Sequence, residues 1–169
     1  GALQQYRIEY PHDPHLLTVS RFMIHYPFAD RLYPKALAVV EHAKRWGKVV
    51  ILSDGDAVFQ PRKVERSGLF EAVDGNVLIY VHKEQELQDV ALRYPAQQYV
   101  LIDDKLRILA AVKKIWGSRV TTVLPRQGHY ALDQQQPGRY PPPDATVERI
   151  GDLLNHDCSA LPDSLQRRA

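Results

Sequence analysis

Polar residues whose side chains suit phosphoryl chemistry follow three apolar runs of this sequence. Ser53 comes directly after VVIL, Lys83 lies two residues beyond VLIYV, and Asp103 and Asp104 follow YVLI. A hydroxyl, together with the backbone N–H groups of the turn after it, can hold phosphate oxygens. A lysine adds a compact positive charge, and an adjacent carboxylate pair is a hard-oxygen ligand set for Mg²⁺. These are the parts of a phosphoryl-transfer site apart from its nucleophile.

The stretch Ser53-Asp54-Gly55-Asp56 allows two interpretations. In the first, Asp54 and Asp56 are a nucleophile and its acid/base partner, because two nearby carboxylates can divide those tasks. In the second, Ser53 holds a phosphate that another group attacks, and Asp54 and Gly55 belong to the same phosphate-binding turn. The two interpretations require different active sites.

Alternating strands and helices must position these residues. The predicted strands are short apolar runs of the kind found in buried parallel sheets: VVILS, VLIYV, YVLID, VTTVL and TVERI. A helix is predicted from Pro34 to Trp46, with proline in its first turn. Another is predicted from about Asp104 to Trp116, with Asp104 as its cap and with Ile108 and Ile115 on one apolar face. The pattern predicts an α/β fold, a Rossmann-like parallel sheet with helices on both faces.

This fold is expected to place the candidate site residues at one edge of the sheet, because ligands of an open parallel sheet bind beyond the carboxyl ends of its strands. Ser53, Lys83 and the pair Asp103-Asp104 all follow predicted strands. His82, Arg126 and His129 also lie beyond strand ends, and the sequence assigns them no role.

Composition limits the partners and the compartment. The chain has 169 residues, 44% hydrophobic and 25% charged, with a formal net charge of +2. This charge is too small to indicate nucleic acid or an anionic membrane as a partner. The single cysteine, Cys158, excludes an internal disulfide, and we expect a reducing, cytoplasmic environment.

The order of these motifs resembles the haloacid dehalogenase (HAD) superfamily over roughly residues 34 to 154. A strand-ending hydroxyl is that family's second motif, a lysine its third, and an acidic pair its fourth. Lys83 lies 30 residues after Ser53, and Asp104 lies 21 residues after Lys83. The resemblance implies Mg²⁺-dependent hydrolysis of a small phosphate monoester through an aspartyl-phosphate. Ser53 and Lys83 would hold the phosphoryl group, and Asp104, assisted by Asp103, would bind Mg²⁺.

The resemblance also favours the second interpretation of the Ser53 stretch. If Asp54 began the first motif, the acidic pair would follow only 50 residues later, with no hydroxyl-ending strand between them. The family's nucleophile strand, which lies between the VVIL and YVLI strands, is then expected upstream of this chain. We accordingly expect a fragment of a longer protein: a partial helical cap at 1–33, a core at 34–157 and a tail at 158–169.

Two alternatives remain beside the hydrolase. The first is a non-catalytic phosphate- or metal-binding module, because the sequence offers no clear nucleophile. The second is a receiver-type signalling domain, in which an acidic pair should come first and the hydroxyl later. Here the hydroxyl precedes the acidic pair, which disfavours the receiver. The sequence gives neither the substrate nor the oligomeric state.

Overall fold

The computed structural model describes residues 2–55, 59–133 and 139–157. Asp56 and the tail predicted at 158–169 therefore lie outside the described residues. The chain divides into two compact units. The first unit contains Gly1–Leu32 and Val50–Lys83, and the second contains Tyr33–Val49 and Glu84–Ala169.

The secondary structure follows the predicted alternation. The strands are β1 Ile51–Asp54, β2 Val77–Tyr80, β3 Tyr99–Ile102, β4 Val120–Pro125 and β5 Ala145–Val147. The helices are α1 Ala2–Glu9, α2 Leu16–Ile24, α3 Ala36–Lys44, α4 Phe59–Arg66, α5 Leu69–Ala72, α6 Leu87–Arg93, α7 Leu106–Trp116 and α8 His129–Asp133. Short 3-10 turns cover Ala29–Arg31, Lys83–Gln85, Gly117–Arg119 and Ile150–Asn155. Four of the five predicted strands are confirmed, whereas the fifth, predicted at 146–150, is the shorter strand Ala145–Val147.

Two predicted helix starts are wrong. Helix α3 begins at Ala36 rather than Pro34, because Lys35 has a left-handed φ of 67° that the helix cannot contain. Helix α7 begins at Leu106, so Asp104 is not its cap. Its N-cap residue is Lys105, whose N–H donates a hydrogen bond to the Asp103 carboxylate at 2.8 Å.

All the described strand pairs are parallel, and they form two sheets. In the first unit β1 pairs with β2, with Ile51 opposite Val77 and Asp54 opposite Tyr80. In the second unit β4 lies between β3 and β5. Among the described strands, β1 pairs only with β2 and β3 pairs only with β4, so each is an edge strand of its sheet.

Apolar clusters cover both faces of the sheet in the second unit. Val120 and Val123 point to opposite faces of β4 because side chains alternate along a strand. Val120 belongs to a buried cluster with Leu87 of α6 and Ile108 of α7. Val123 belongs to another with Val39 of α3 and the 3-10 turn at Ile150–Asn155. Helices on both faces are thus confirmed for this sheet.

The buried face of α7 differs from the predicted one. Ile108 is fully buried, together with Leu109 and Val112, whereas Ile115 is 61% exposed. The prediction for Ile115 is therefore wrong, because the helix turns its Leu109 side rather than its Ile115 side toward the sheet. No described helix has the length and apolar character needed to cross a membrane.

A polar network ties α7 to β4 and to the segment before β5. The Asp144 carboxylate accepts hydrogen bonds from the backbone N–H and the hydroxyl of Thr122, each at 2.8 Å. The Lys113 ammonium donates to the same carboxylate at 2.8 Å and to the Val120 carbonyl at 2.8 Å. Burial alone would raise the pKa of Asp144, but these hydrogen bonds and the Lys113 charge together lower it.

Candidate active site

The carboxyl end of β1 brings together three of the predicted site residues. Ser53 and Asp54 are the last two residues of β1, and the Asp54 carboxylate accepts a hydrogen bond from the Lys83 N–H at 2.9 Å. Among the described residues, the Ser53 hydroxyl makes a long contact, 3.3 Å, to the Asp54 carbonyl. Such a distance indicates a weak hydrogen bond, so the hydroxyl can turn to a ligand.

Lys83 is held against the end of β1 by its side chain as well as its backbone. Only 7% of the residue is exposed, and its ammonium donates to the Leu52 carbonyl at 3.2 Å. A buried ammonium requires such partners, because taking a charge out of water is costly. The arrangement places the positive charge at the backbone of Leu52, the residue that precedes Ser53.

Gly55 supplies space in the turn after β1. Its N–H donates to the Tyr80 carbonyl at 2.9 Å and is thus occupied by the sheet. A Cβ at this position would lie 2.1 Å from Cγ of Gln60, the second residue of α4. A Cβ at position 55 would therefore force the Gln60 side chain to move. Sequence reasoning did not select Gln60, because its approach to Gly55 is visible only in three dimensions.

The acidic pair follows β3 in the second unit. Asp103 continues the sheet through its N–H, which donates to the Val123 carbonyl at 3.2 Å. Its carboxylate accepts the Lys105 N–H, which fixes the turn into α7. Asp103 and Asp104 are both half-buried. The strand end thus presents two adjacent carboxylates in a partly dehydrated setting.

Gly128, after β4, makes room beside Asp104. Its φ of +85° favours glycine, and a Cβ there would lie 3.2 Å from Oδ2 of Asp104 and 2.6 Å from the Tyr33 hydroxyl oxygen. Gly128 therefore lies close to both Asp104 and the Tyr33 hydroxyl. The sequence placed Gly128 in a loop beyond a strand end, but no local pattern of the connector around Tyr33 indicated this proximity.

The remaining strand-end residues have other contacts. The Arg126 side chain forms an exposed ion pair with Glu148 at 3.3 Å. The His129 ring packs edge-on against Tyr130, with centroids 5.6 Å apart. His82 is exposed. None of these observations gives the three residues a part in chemistry.

Comparison with known proteins decides the family. No family model matches the sequence, and no curated protein matches it. A crystal structure from Burkholderia xenovorans LB400, assigned as a haloacid dehalogenase-like hydrolase, has a TM-score of 0.87 and 60% sequence identity. The match covers 94% of this chain and 73% of that chain. This chain belongs to the haloacid dehalogenase-like hydrolases.

The acidic pair of this HAD-like hydrolase suits Mg²⁺ in its donor chemistry. Asp103 and Asp104 offer only hard oxygen atoms, and Mg²⁺ in proteins commonly takes one or two carboxylates and keeps several waters. Within the described ranges, no group of three or more His, Cys, Asp or Glu residues forms a metal-binding cluster. A two-carboxylate site is thus the one that these residues can provide.

Proposed function

We propose that this HAD-like hydrolase cleaves phosphate monoesters with the help of Mg²⁺. The observation that carries the proposal is the buried Lys83 ammonium at the carboxyl end of β1, hydrogen-bonded to the carbonyl beside Ser53. A cation held in a dry site interacts with developing negative charge more strongly than it would in water. A phosphoryl group is a ligand whose oxygen atoms can bind the Lys83 ammonium and the Ser53 hydroxyl together.

In the proposed reaction, the Ser53 hydroxyl and the Lys83 ammonium hold the phosphoryl oxygens. Asp104, assisted by Asp103, would bind Mg²⁺, which supplies positive charge to such a reaction. The P–O bond to the leaving alcohol breaks as a P–O bond to an attacking aspartate forms. Water then hydrolyses the aspartyl-phosphate, so that the net reaction converts ester and water to alcohol and inorganic phosphate.

We infer that the attacking aspartate is supplied from outside the given sequence. Asp54 is a poor candidate, because its carboxylate already accepts the Lys83 N–H and so fixes the turn. The edge position of β1 supports this inference, since the strand can accept another parallel strand there. The same engagement of Asp54 favours the alternative function, a non-catalytic phosphate- and metal-binding module.

Hydrolysis of 4-nitrophenyl phosphate, with and without Mg²⁺, tests the proposal. The assay compares this chain, the chain extended by its upstream gene-encoded residues, and the extended chain with Asp104→Asn. We expect Mg²⁺-dependent turnover only in the extended chain, and its loss in the variant. Mg²⁺-dependent turnover by the unextended chain would support Asp54 as the nucleophile and contradict the inference of an upstream aspartate. No turnover by either form, with phosphate still bound, would favour the non-catalytic module.

A further inference from the structure

A cavity of about 450 Å³ adjoins the end of β1 in the first unit. Ser53 is part of its lining, and Ile51 and Val64 contribute apolar walls. Gln60 also lines the cavity, and its side chain lies against Gly55 in the turn after β1. The cavity is thus continuous with the proposed phosphate site, and a group attached to a phosphate at Ser53 would enter it.

Two aromatic rings give the cavity a wall suited to a flat group. Tyr26 and Phe28 both line it, and their ring centroids are 5.1 Å apart with planes inclined by 56°. Aromatic side chains bind planar apolar groups through stacked or edge-on contacts. The volume lies within the usual range for small-molecule sites, roughly 300–1,000 Å³, and exceeds the needs of phosphate alone.

The charged side chains among the described residues of the lining are cations. Arg31 and Lys63 line the cavity, and none of the described lining residues is acidic. Within the part of the chain that the structure describes, neither cation forms an ion pair with a carboxylate. The Arg31 guanidinium instead lies over the Tyr26 ring, 5.8 Å from its centroid. Both cations are exposed, have no carboxylate partner among the described residues and lie beside an apolar wall, an arrangement that suits an anionic group on the ligand.

We propose that this cavity binds the leaving group of the phosphate monoester, and that this leaving group is a planar, largely apolar alcohol bearing a carboxylate. Tyr26 and Phe28 contact its flat body, while Arg31 and Lys63 bind its carboxylate. The proposal rests on the phosphatase function proposed above, and it adds the substrate class that the same site selects.

Matched substrates test the charge requirement. The extended chain is assayed with 4-carboxyphenyl phosphate and with 4-carbamoylphenyl phosphate, which has nearly the same shape but no charge on the substituent. We expect the ratio of their kcat/KM values to favour the carboxylate and to fall about tenfold in Arg31→Gln and in Lys63→Gln, the usual effect of losing a charge-assisted hydrogen bond. Arg62→Gln is the control, because Arg62 is an exposed cation on α4, next to Lys63, and does not line the cavity.

Calorimetry separates this proposal from the function on which it rests. The binding of 4-hydroxybenzoate and of 4-hydroxybenzamide to the same proteins is measured without any turnover. Hydrolysis of both esters with a ratio near one, or a ratio unchanged in Arg31→Gln and Lys63→Gln, overturns the leaving-group proposal and leaves the phosphatase intact. Absence of hydrolysis, with 4-hydroxybenzoate binding weakened by both variants and not by Arg62→Gln, supports the cavity and rejects the phosphatase. Equal binding of both compounds in every variant rejects the cavity.

Discussion

At the residue scale, Lys83 joins the proposed chemistry to the packing of the first unit. Its N–H donates to the Asp54 carboxylate and its ammonium donates to the Leu52 carbonyl, so Lys83 contacts β1 at two positions near its carboxyl end. Burial keeps this charge from being screened by salt, unlike an exposed lysine. The same contacts therefore hold the side chain beside the residue that precedes Ser53, close to the phosphate site that we propose.

Replacing Lys83 tests this double role. Lys83→Met keeps the length of the side chain but removes its charge, and we expect the affinity for inorganic phosphate to fall about tenfold or more. Calorimetric titration with phosphate measures the change, and circular dichroism reports whether the fold persists. Lys114→Met, at an exposed position of α7, should leave phosphate binding unchanged. Equal phosphate affinity in a folded Lys83→Met protein would contradict the assignment.

Gly55 gives a second prediction at this scale. Gly55→Ala places a Cβ within 2.1 Å of Gln60 Cγ, so Gln60 must move, and we expect a loss of about 1–3 kcal/mol in the free energy of unfolding. Chemical denaturation measures the loss. The double variant Gly55→Ala/Gln60→Ala removes the obstructing Cγ and should recover much of it.

Gly47→Ala is the matched control, because a Cβ at Gly47 would meet no atom within 4 Å. It should change the free energy of unfolding far less than Gly55→Ala does. If Gly55→Ala were equally mild, the close approach of Gln60 would not be a constraint on the turn.

At the element scale, the Asp144 network is expected to stabilise the join between α7 and β4. Asp144→Asn keeps the shape but removes the charge facing Lys113, and we expect a loss of about 1–3 kcal/mol in the free energy of unfolding. The lowered pKa of Asp144 gives the pH dependence. The ionised Asp144 carboxylate makes its full contribution to the free energy of unfolding above pH 3.8, the ordinary pKa of an aspartate. This contribution is lost as the pH falls through the lower pKa of the folded state.

Denaturation at several pH values checks this prediction. The difference in the free energy of unfolding between the native protein and Asp144→Asn should be largest near neutral pH and should shrink below about pH 4. Asp89→Asn removes one partner of the exposed Asp89–Arg93 pair within α6 and serves as control. Its effect should stay below about 1 kcal/mol, as is usual for surface ion pairs. If the loss of unfolding free energy in Asp144→Asn became larger at acidic pH, the pKa of Asp144 would not be lowered in the folded state.

The elements also show how far sequence reasoning reaches. The first four strands were predictable because each contains a short apolar run bounded by polar residues. The start of α3 was not, because the left-handed φ of Lys35 leaves no mark on hydrophobic periodicity. Their positions after predicted strands made Ser53 and Lys83 candidate site residues. The close approach of Gln60 to Gly55 was not predictable, because the sequence does not determine the path of the chain between them. Such contacts depend on tertiary geometry, and local patterns do not encode it.

At the scale of the whole molecule, the chain contributes to its two units in alternation. Residues 33–49, which contain α3, belong with Glu84–Ala169, although β1 and β2 lie between them in sequence. Val39 of α3 accordingly packs in a buried cluster with Val123 of β4 and Leu153. The second unit therefore assembles its core from two separate stretches of chain, and its stability depends on contacts that are distant in sequence.

Hydrogen exchange should reveal the unequal support of the two sheets. β4 is paired on both sides and has buried clusters on both faces, whereas β1 pairs on one side among the described strands and all its residues are half-buried. Amides exchange slowly where many buried contacts must open. We therefore expect slower exchange at 120–125 than at 51–54, measured by mass spectrometry or NMR of the whole chain. Faster exchange in β4 than in β1 would mean that buried packing of the second sheet does not set local stability, and would count against the two-sided core described for it.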